Sequence, residues 1–318
     1  MSDAKIPVGV SACVMGDMVR WNGGHKRDRW VTDVLSEWFD FVKVCPEVEL
    51  GLGVPRESLR LKRDDGGLRF IEGRTGRDRT EAMRDYCRRR VEELAPLRLR
   101  GYILKKDSPS CGMERVRLYD RNDVPARTGV GLYVEALAEC FPRLPLEEEG
   151  RLHDARLREH FVTRVFAHDR WLRLREAGGA RAADVVTFHT AHKTLLMAYN
   201  QEAAGELGRL VAQAGSLPID ELLERYEEGF LAAMRRVVSP GRHVNVMQHL
   251  AGYLKRDLEA GDRADIQRVI EDYRRGLVPL ITPLTLLQHH FRRLRHDWID
   301  AQAYLDPYPR ELGLRSAI

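Results

Sequence analysis

The residues of this chain best suited to chemistry are cysteines that follow short apolar runs. Lys105-Lys106-Asp107-Ser108-Pro109-Ser110-Cys111-Gly112 comes directly after Gly101-Tyr102-Ile103-Leu104, which reads as a buried strand. Proline fixes φ and glycine permits φ > 0, so this stretch turns sharply and projects a thiol and two hydroxyls. Cys13 follows Val8-Gly9-Val10-Ser11-Ala12, and Cys45 follows Phe41-Val42-Lys43-Val44, in the same way. Thiolate is the ligand that iron and zinc favour, so three such thiols meeting at one edge would form a metal or cluster site. Three thiolates without a fourth match catalytic metal sites that keep one coordination position open. Zinc held by three cysteines and a 4Fe-4S cluster with one bare iron both remain open. The absence of paired Cys-x-x-Cys knuckles favours the cluster. Cys87, on the apolar face of a helix, and Cys140, beside Phe141, read instead as small buried hydrophobes.

The elements that must position these thiols alternate between strand and helix. Strands are expected at 6–12, 40–45 and 101–105, and helices near 30–38, 77–95 and 129–141. Met83, Cys87, Val91 and Leu94 recur at helical spacing in the second helix. Alternation of this kind predicts an α/β, Rossmann-like domain with a parallel sheet over residues 1–148. Ligands of such sheets bind outside the carboxyl ends of the strands, which is where Cys13, Cys45 and Cys111 should converge.

At 318 residues the chain is long enough for two domains, and its net charge of +4 permits a nucleic-acid partner without requiring one. No apolar run approaches the roughly 20 residues of a membrane span. Met-Ser-Asp-Ala-Lys lacks the apolar stretch of a signal peptide. An odd number of cysteines without dense spacing points to a reducing cytoplasm.

Four stretches together carry a resemblance: Val10-Ser11-Ala12-Cys13-Val14-Met15-Gly16, Arg20-Trp21-Asn22-Gly23-Gly24-His25-Lys26, Cys45-Pro46-Glu47 with Gly51-Leu52-Gly53-Val54-Pro55-Arg56, and Lys105-x-x-Ser108-Pro109-Ser110-Cys111-Gly112. Over residues 5–148, in this order, the chain resembles the thiouracil desulfidase family. The resemblance implies a 4Fe-4S cluster held by Cys13, Cys45 and Cys111, with the fourth iron taking the sulfur of a thiolated pyrimidine and C=S becoming C=O. Soft sulfur suits iron, which draws electron density from the ring carbon. Water must then be activated, and Glu47, two residues from Cys45, is the nearest candidate base; a surface or loop-capping glutamate is the alternative. Ser108 is a candidate donor to the ring or the leaving sulfur, or else a turn-stabilising hydroxyl. Ser11 and Ser110 read as donors to cluster sulfurs or backbone, and Lys105 as positive charge for the site. Asn22, Gly23 and Gly24 read as a substrate-binding turn, though Asn-Gly is also an ordinary turn.

Pro142-Arg143-Leu144-Pro145 followed by Glu147-Glu148-Glu149-Gly150 reads as a linker. Beyond it an all-α domain is expected over 149–318, with helices at 152–176, from an Asp184 cap through Tyr199, and at 219–238, 242–260, 264–275 and 283–302. Ten of the eleven histidines lie here, although the cluster chemistry has no use for them. His189 and His192, one turn apart and followed by Lys193, are open to three readings: a metal pair, core hydrogen bonding, or RNA contact. Arg235-Arg236, Arg242-His243, Lys255-Arg256, Arg274-Arg275 and Arg292-Arg293-x-Arg295 would together make a phosphate-binding face. Phe188-His189-x-x-His192-Lys193-x-Leu195-Leu196-Met197-Ala198-Tyr199-Asn200 and His243-x-Asn245-Val246-x-Gln248-His249-x-x-Gly252-Tyr253 resemble a helical domain often fused to desulfidase domains. Fused proteins of this kind are similar to desulfidases that remove sulfur from 4-thiouridine in tRNA. The expectation is therefore a tRNA 4-thiouridine desulfidase, with no membrane or evident protein partner. A desulfidase of free thiouracil or thiouridine, and a non-catalytic RNA-binding protein with a structural metal site, are the alternatives.

Overall fold

The computed structural model describes residues 4–294 and 297–318. Met1–Asp3 of the N-terminal stretch, and Arg295 of the basic groups, lie outside them. The chain divides after His153 into two units, Met1–His153 and Asp154–Ile318.

In the first unit the strands run β1 (Ile6–Ser11), β2 (Phe39–Val44), β3 (Leu59–Asp64), β4 (Gly67–Glu72), β5 (Gly101–Leu104), β6 (Val116–Tyr119), β7 (Pro125–Gly129) and β8 (Leu146–Glu148). The helices are α1 (Pro46–Glu49), α2 (Thr80–Leu94) and α3 (Leu132–Cys140). One sheet has the order β2-β1-β5-β8 with every pair parallel. The chain leaves β1 toward β2 and later returns to β5 on the other side, so the direction of winding reverses at β1. That reversal opens a crevice at the carboxyl ends. The β1 strand is β-branched and central, with Val8 and Val10 fully buried. Its Gly9 faces Tyr102 of β5, and a Cβ there would fall 2.1 Å from the tyrosine ring. Only glycine fits this contact.

In the first unit the expected elements differ from the structure in three places. The helix expected at 30–38 is a π turn (Trp30–Val34) followed by a 3-10 turn (Leu35–Glu37), just long enough to bury Val31 and Leu35. A second sheet, of order β4-β3-β6-β7, lies outside the expected strands. It alternates inward Leu61, Phe70, Val116 and Leu118 with outward charges, and shares one hydrophobic cluster with Met83, Val91, Tyr102 and Leu104. The stretch 142–150, read as a linker, instead carries β8. There β8 pairs with β5, and Glu147, Glu148 and Glu149 are all buried.

Each of those carboxylates has partners, which is why burial is tolerated. Glu147 Oε1 takes Arg151 Nε at 2.6 Å, and Glu148 Oε1 takes the Met113 amide at 2.9 Å. Glu149 takes the Lys106 amide at 2.8 Å and Lys105 Nζ at 2.5 Å.

The second unit is helical: α4 (Ala155–Glu176), α5 (Ala182–Tyr199), α6 (Gln201–Ala212), α7 (Ile219–Ala233), α8 (Pro240–Tyr253), α9 (Ala260–Arg274), α10 (Ile281–Leu294) and α11 (Asp297–Asp300). Asp154 caps α4 by accepting the Arg156 and Leu157 amides, and Asn200 caps α6 likewise. Asp184 works from inside the first turn of α5, taking the Arg181 amide at 2.8 Å, rather than as the cap itself. Trp171, Tyr199, Tyr226, Phe230, Phe291 and Tyr304 centre the core. Among the described residues no helix is long and apolar enough to cross a membrane.

Candidate active site

The three cysteines sit where the parallel sheet ends. Cys13 lies in the 3-10 turn after β1, Cys45 directly follows β2, and Cys111 closes the loop after β5. All three line one cleft of about 500 Å³, together with Ser11, Glu47, Arg56, Lys105, Ser108 and Glu149. None is in a disulfide. Cys87 is buried, as its helical position predicts, whereas Cys140 is exposed at the end of α3 and is not a core residue.

Local sequence shapes the loop bearing Cys111. Ser108 Oγ accepts the Cys111 amide at 3.1 Å and the Ser110 amide at 3.3 Å. This closes a side-chain turn around proline. Gly131 lets the N-terminus of α3 press against the loop, since a Cβ there would fall 2.2 Å from the Ser110 carbonyl.

A chain of polar contacts then reaches the proposed base. Ser108 Oγ lies 3.1 Å from Ser110 Oγ, which donates to Glu47 Oε1 at 2.5 Å. Glu47 Oε2 is 3.6 Å from Cys45 Sγ and takes Arg56 Nη2 at 2.9 Å. Arg56 is held in turn by the Val19 and Gly53 carbonyls at 2.9 and 3.0 Å. Both members of the Arg56–Glu47 pair are largely withdrawn from solvent, at 7% and 13% exposure of their side chains. Removing one partner of such a pair costs about 3–5 kcal/mol, because the other charge is left stranded.

The remaining candidates have defined places as well. Ser11 is buried, and its Oγ accepts the Lys105 amide at 3.0 Å, tying the ends of β1 and β5 together. Lys105 carries charge into the cleft, but Glu149 neutralises it. Asn22, Gly23 and Gly24 are not among the cleft-lining residues. Asn22 Oδ1 instead accepts the Gly24 amide at 3.2 Å in a local turn. Their neighbours Arg20 and Trp21 line the cleft, and Trp21 is 48% exposed overall. An exposed indole at a cleft is a stacking face for a planar ring. Arg56, Glu149 and Trp21 had received no role from sequence. Arg56 and Trp21 lay within recognised stretches, and Glu149 was masked by the charge run around it.

Burial pushes the Cys13 thiol up to about 11 and Cys45 to about 12, with Glu47 adding to both shifts; burial and Glu47 also raise Cys111 well above the ordinary thiol range. One buried and two half-buried thiols beside a carboxylate hold their protons in the protein alone, so a cationic group is needed to keep them ionised. The donor set suits such a group. Among the described residues no three His, Cys, Asp or Glu side chains converge on a single-ion site. A polynuclear cluster, whose separate irons each take one thiolate, does not require that convergence.

In the second unit, His189 and His192 are buried rather than presented to a ligand. His189 Nδ1 meets Tyr226 Oη at 3.1 Å, and His192 stacks on Phe188 with ring centroids 3.9 Å apart. Burial withdraws both from any RNA surface, and core hydrogen bonding is the role the packing gives them. Lys193, Arg242, Arg292 and Arg293 are exposed, with the Arg242 guanidinium bonded to the Tyr199 carbonyl.

Comparison with known proteins adds names to this geometry. A family model described as 2-thiouracil desulfurase matches residues 8–149, and one described as a protein of unknown function, DUF1722, matches residues 193–309. The uncharacterized protein YbgA of Escherichia coli (strain K12) is 28% identical over 155 residues, covering 48% of this chain and 91% of its own. A solved structure, the [4Fe-4S]-dependent thiouracil desulfidase TudS, is 26% identical and covers 47% of this chain and 95% of its own, with a TM-score of 0.37. The chain is therefore similar to the 2-thiouracil desulfurase family over residues 8–149 and to the DUF1722 family over residues 193–309.

Proposed function

We propose that this protein is a 4Fe-4S-dependent desulfidase that converts 4-thiouridine in tRNA to uridine, working in the reducing cytoplasm. The observation that carries the reading is the convergence of Cys13, Cys45 and Cys111, from the ends of three adjacent parallel strands, on one cleft beside Glu47. A cluster bound there supplies a Lewis-acidic iron for the thiocarbonyl sulfur. Glu47 takes a proton from the water that attacks the ring carbon. The buried Arg56 holds its carboxylate in place, and Ser110 passes hydrogen bonding on to Ser108. Trp21 stacks on the pyrimidine at the cleft. The reaction consumes C=S and water and yields C=O and hydrogen sulfide. The exposed cations Lys193, Arg242, Arg292 and Arg293 support an RNA substrate.

The test is nucleoside analysis of bulk tRNA before and after incubation with anaerobically purified protein, alongside free 4-thiouracil. Loss of 4-thiouridine with matching gain of uridine is expected. Cys13→Ser, Cys45→Ser or Cys111→Ser should each lower iron and acid-labile sulfide and abolish turnover, while Cys140→Ser should change neither. Turnover of free base but not of tRNA would overturn the RNA substrate. Wild-type iron content in all three serine variants would overturn the cluster.

A further inference from the structure

The second sheet of the first unit has a face that its core does not use. Because Leu61, Phe70, Val116 and Leu118 point inward, alternation sends Arg60, Lys62, Arg117 and Tyr119 outward. Register places Arg127 of β7 directly opposite Arg117 of β6. Like charges facing each other across an antiparallel pair are unfavourable in the protein alone, and an anion between them removes the penalty. Arg127 reaches Asp107 at 3.1 Å, while Arg117 has no ion pair among the described residues. Arg60 lies over the Tyr119 ring at 5.1 Å and shares Asp123 with Lys62, at 3.4 and 2.9 Å. Its Nε is buried without a partner. Four cations thus face two carboxylates, Asp107 and Asp123. Arg69, on the outer strand, is already matched by Asp64 and Asp78.

This strip borders a groove of about 680 Å³ that meets the cysteine-lined cleft at Ser58, Leu59, Asp107 and Pro109, residues common to both. We infer that the groove is a track for the RNA backbone flanking the nucleotide whose base enters the cleft. Neighbouring strands lie about 4.8 Å apart, so cations on β3, β6 and β7 span about 10 Å, more than one phosphate group occupies. Tyr119 beside Arg60 offers a stacking face for an adjacent base, the combination that single-stranded RNA sites use. The track rests on the tRNA reading above and adds that the desulfurase domain itself grips the RNA.

The experiment compares the full-length, cofactor-loaded wild type with Arg117→Glu/Arg127→Glu and Arg117→Gln/Arg127→Gln double variants. Turnover is measured on free 4-thiouracil, 4-thiouridine 5′-monophosphate and bulk tRNA, and tRNA binding by mobility shift across a salt series. We expect kcat/KM on tRNA to fall at least tenfold in the glutamate variant and less in the glutamine variant. The salt slope of tRNA binding should shrink by about two, one for each phosphate that is no longer neutralised. Free 4-thiouracil should turn over unchanged, which also reports intact folding; if the glutamate pair fails that check, the glutamine pair decides. Unchanged tRNA binding in a folded variant overturns the track. So does an equal loss on the monophosphate, which would mark a single-phosphate site, or tighter wild-type binding of polyglutamate than of tRNA, which would mark a surface for acidic protein. Wild type that desulfurises free base but never tRNA sinks the substrate reading first, and the track with it.

Discussion

Both units bury polar groups, and they use them in opposite ways. Around the cysteine cleft, thiols and the Glu47 carboxylate face open space, held from behind by Arg56, Ser110 and the sheet edge. In the helical unit many buried polar groups turn toward one another, although Arg170 Nη1 and His192 Nε2 are buried without a partner. Trp171 Nε1 donates to Glu227 at 2.9 Å, His243 Nδ1 meets Tyr304 Oη at 2.9 Å, and Thr194 donates to Gln302 at 2.8 Å. Glu159 accepts from both Arg315 and Tyr308 at 3.3 Å. Satisfied networks of this kind specify a core, whereas a polar group with capacity left over and space in front of it is equipped to meet a ligand. The abundance of histidine drew attention to the second unit. Its geometry shows His189, His192 and His243 used as packing.

The largest expected effect tests the open half of this contrast. Glu47→Gln keeps the size of the side chain and removes its basicity, so kcat should fall about 10²–10⁴-fold with iron and sulfide content unchanged. An unaltered kcat would make Glu47 a structural carboxylate, closed in the manner of Glu159. Trp21→Ala comes next. Stacking of a base on an aromatic ring is worth about 1–3 kcal/mol, so KM should rise about tenfold or more with kcat nearly unchanged, and Trp21→Phe should recover most of the loss. Equal KM values for wild type and Trp21→Ala would mean that the indole touches no substrate.

The smallest effect belongs to the closed half. Burial lowers both His192 and His243 to about 3. Between about 3 and 6.5 the unfolded chain binds protons at these sites and the folded chain does not, so stability rises with pH across that window and is lost as pH falls through it. Helix signal in thermal melts should therefore fail at lower temperature at about pH 4.5, inside the window, than at about pH 7, above it. His192→Phe should flatten that dependence while leaving turnover at neutral pH intact. A loss of turnover instead would place His192 in the reaction.

Much of the site was legible because strand-then-cysteine is a local pattern. A parallel sheet sends the carboxyl end of each such strand to the same edge, so Cys13, Cys45 and Cys111 could be grouped before any contact was known. Glu47 was legible by proximity to Cys45. The second sheet was less so, although Asp65-Gly66 between Leu-Arg-Leu-Lys and Leu-Arg-Phe-Ile is a hairpin signal.

The glutamate run at 147–149 was not legible at all. A run of carboxylates reads as solvent-exposed until Arg151, the Met113 amide and Lys105 are brought to it from elsewhere in the chain. His189 and His192 have the same lesson, since helical spacing places two rings on neighbouring positions without saying whether that side meets water or Tyr226. The sequence by itself determined which residues end the strands and which side chains have sulfur or oxygen to offer, because those properties are local. Only the tertiary structure decided which of them keep a free valence, because a polar group is open or closed according to partners that arrive from distant parts of the chain.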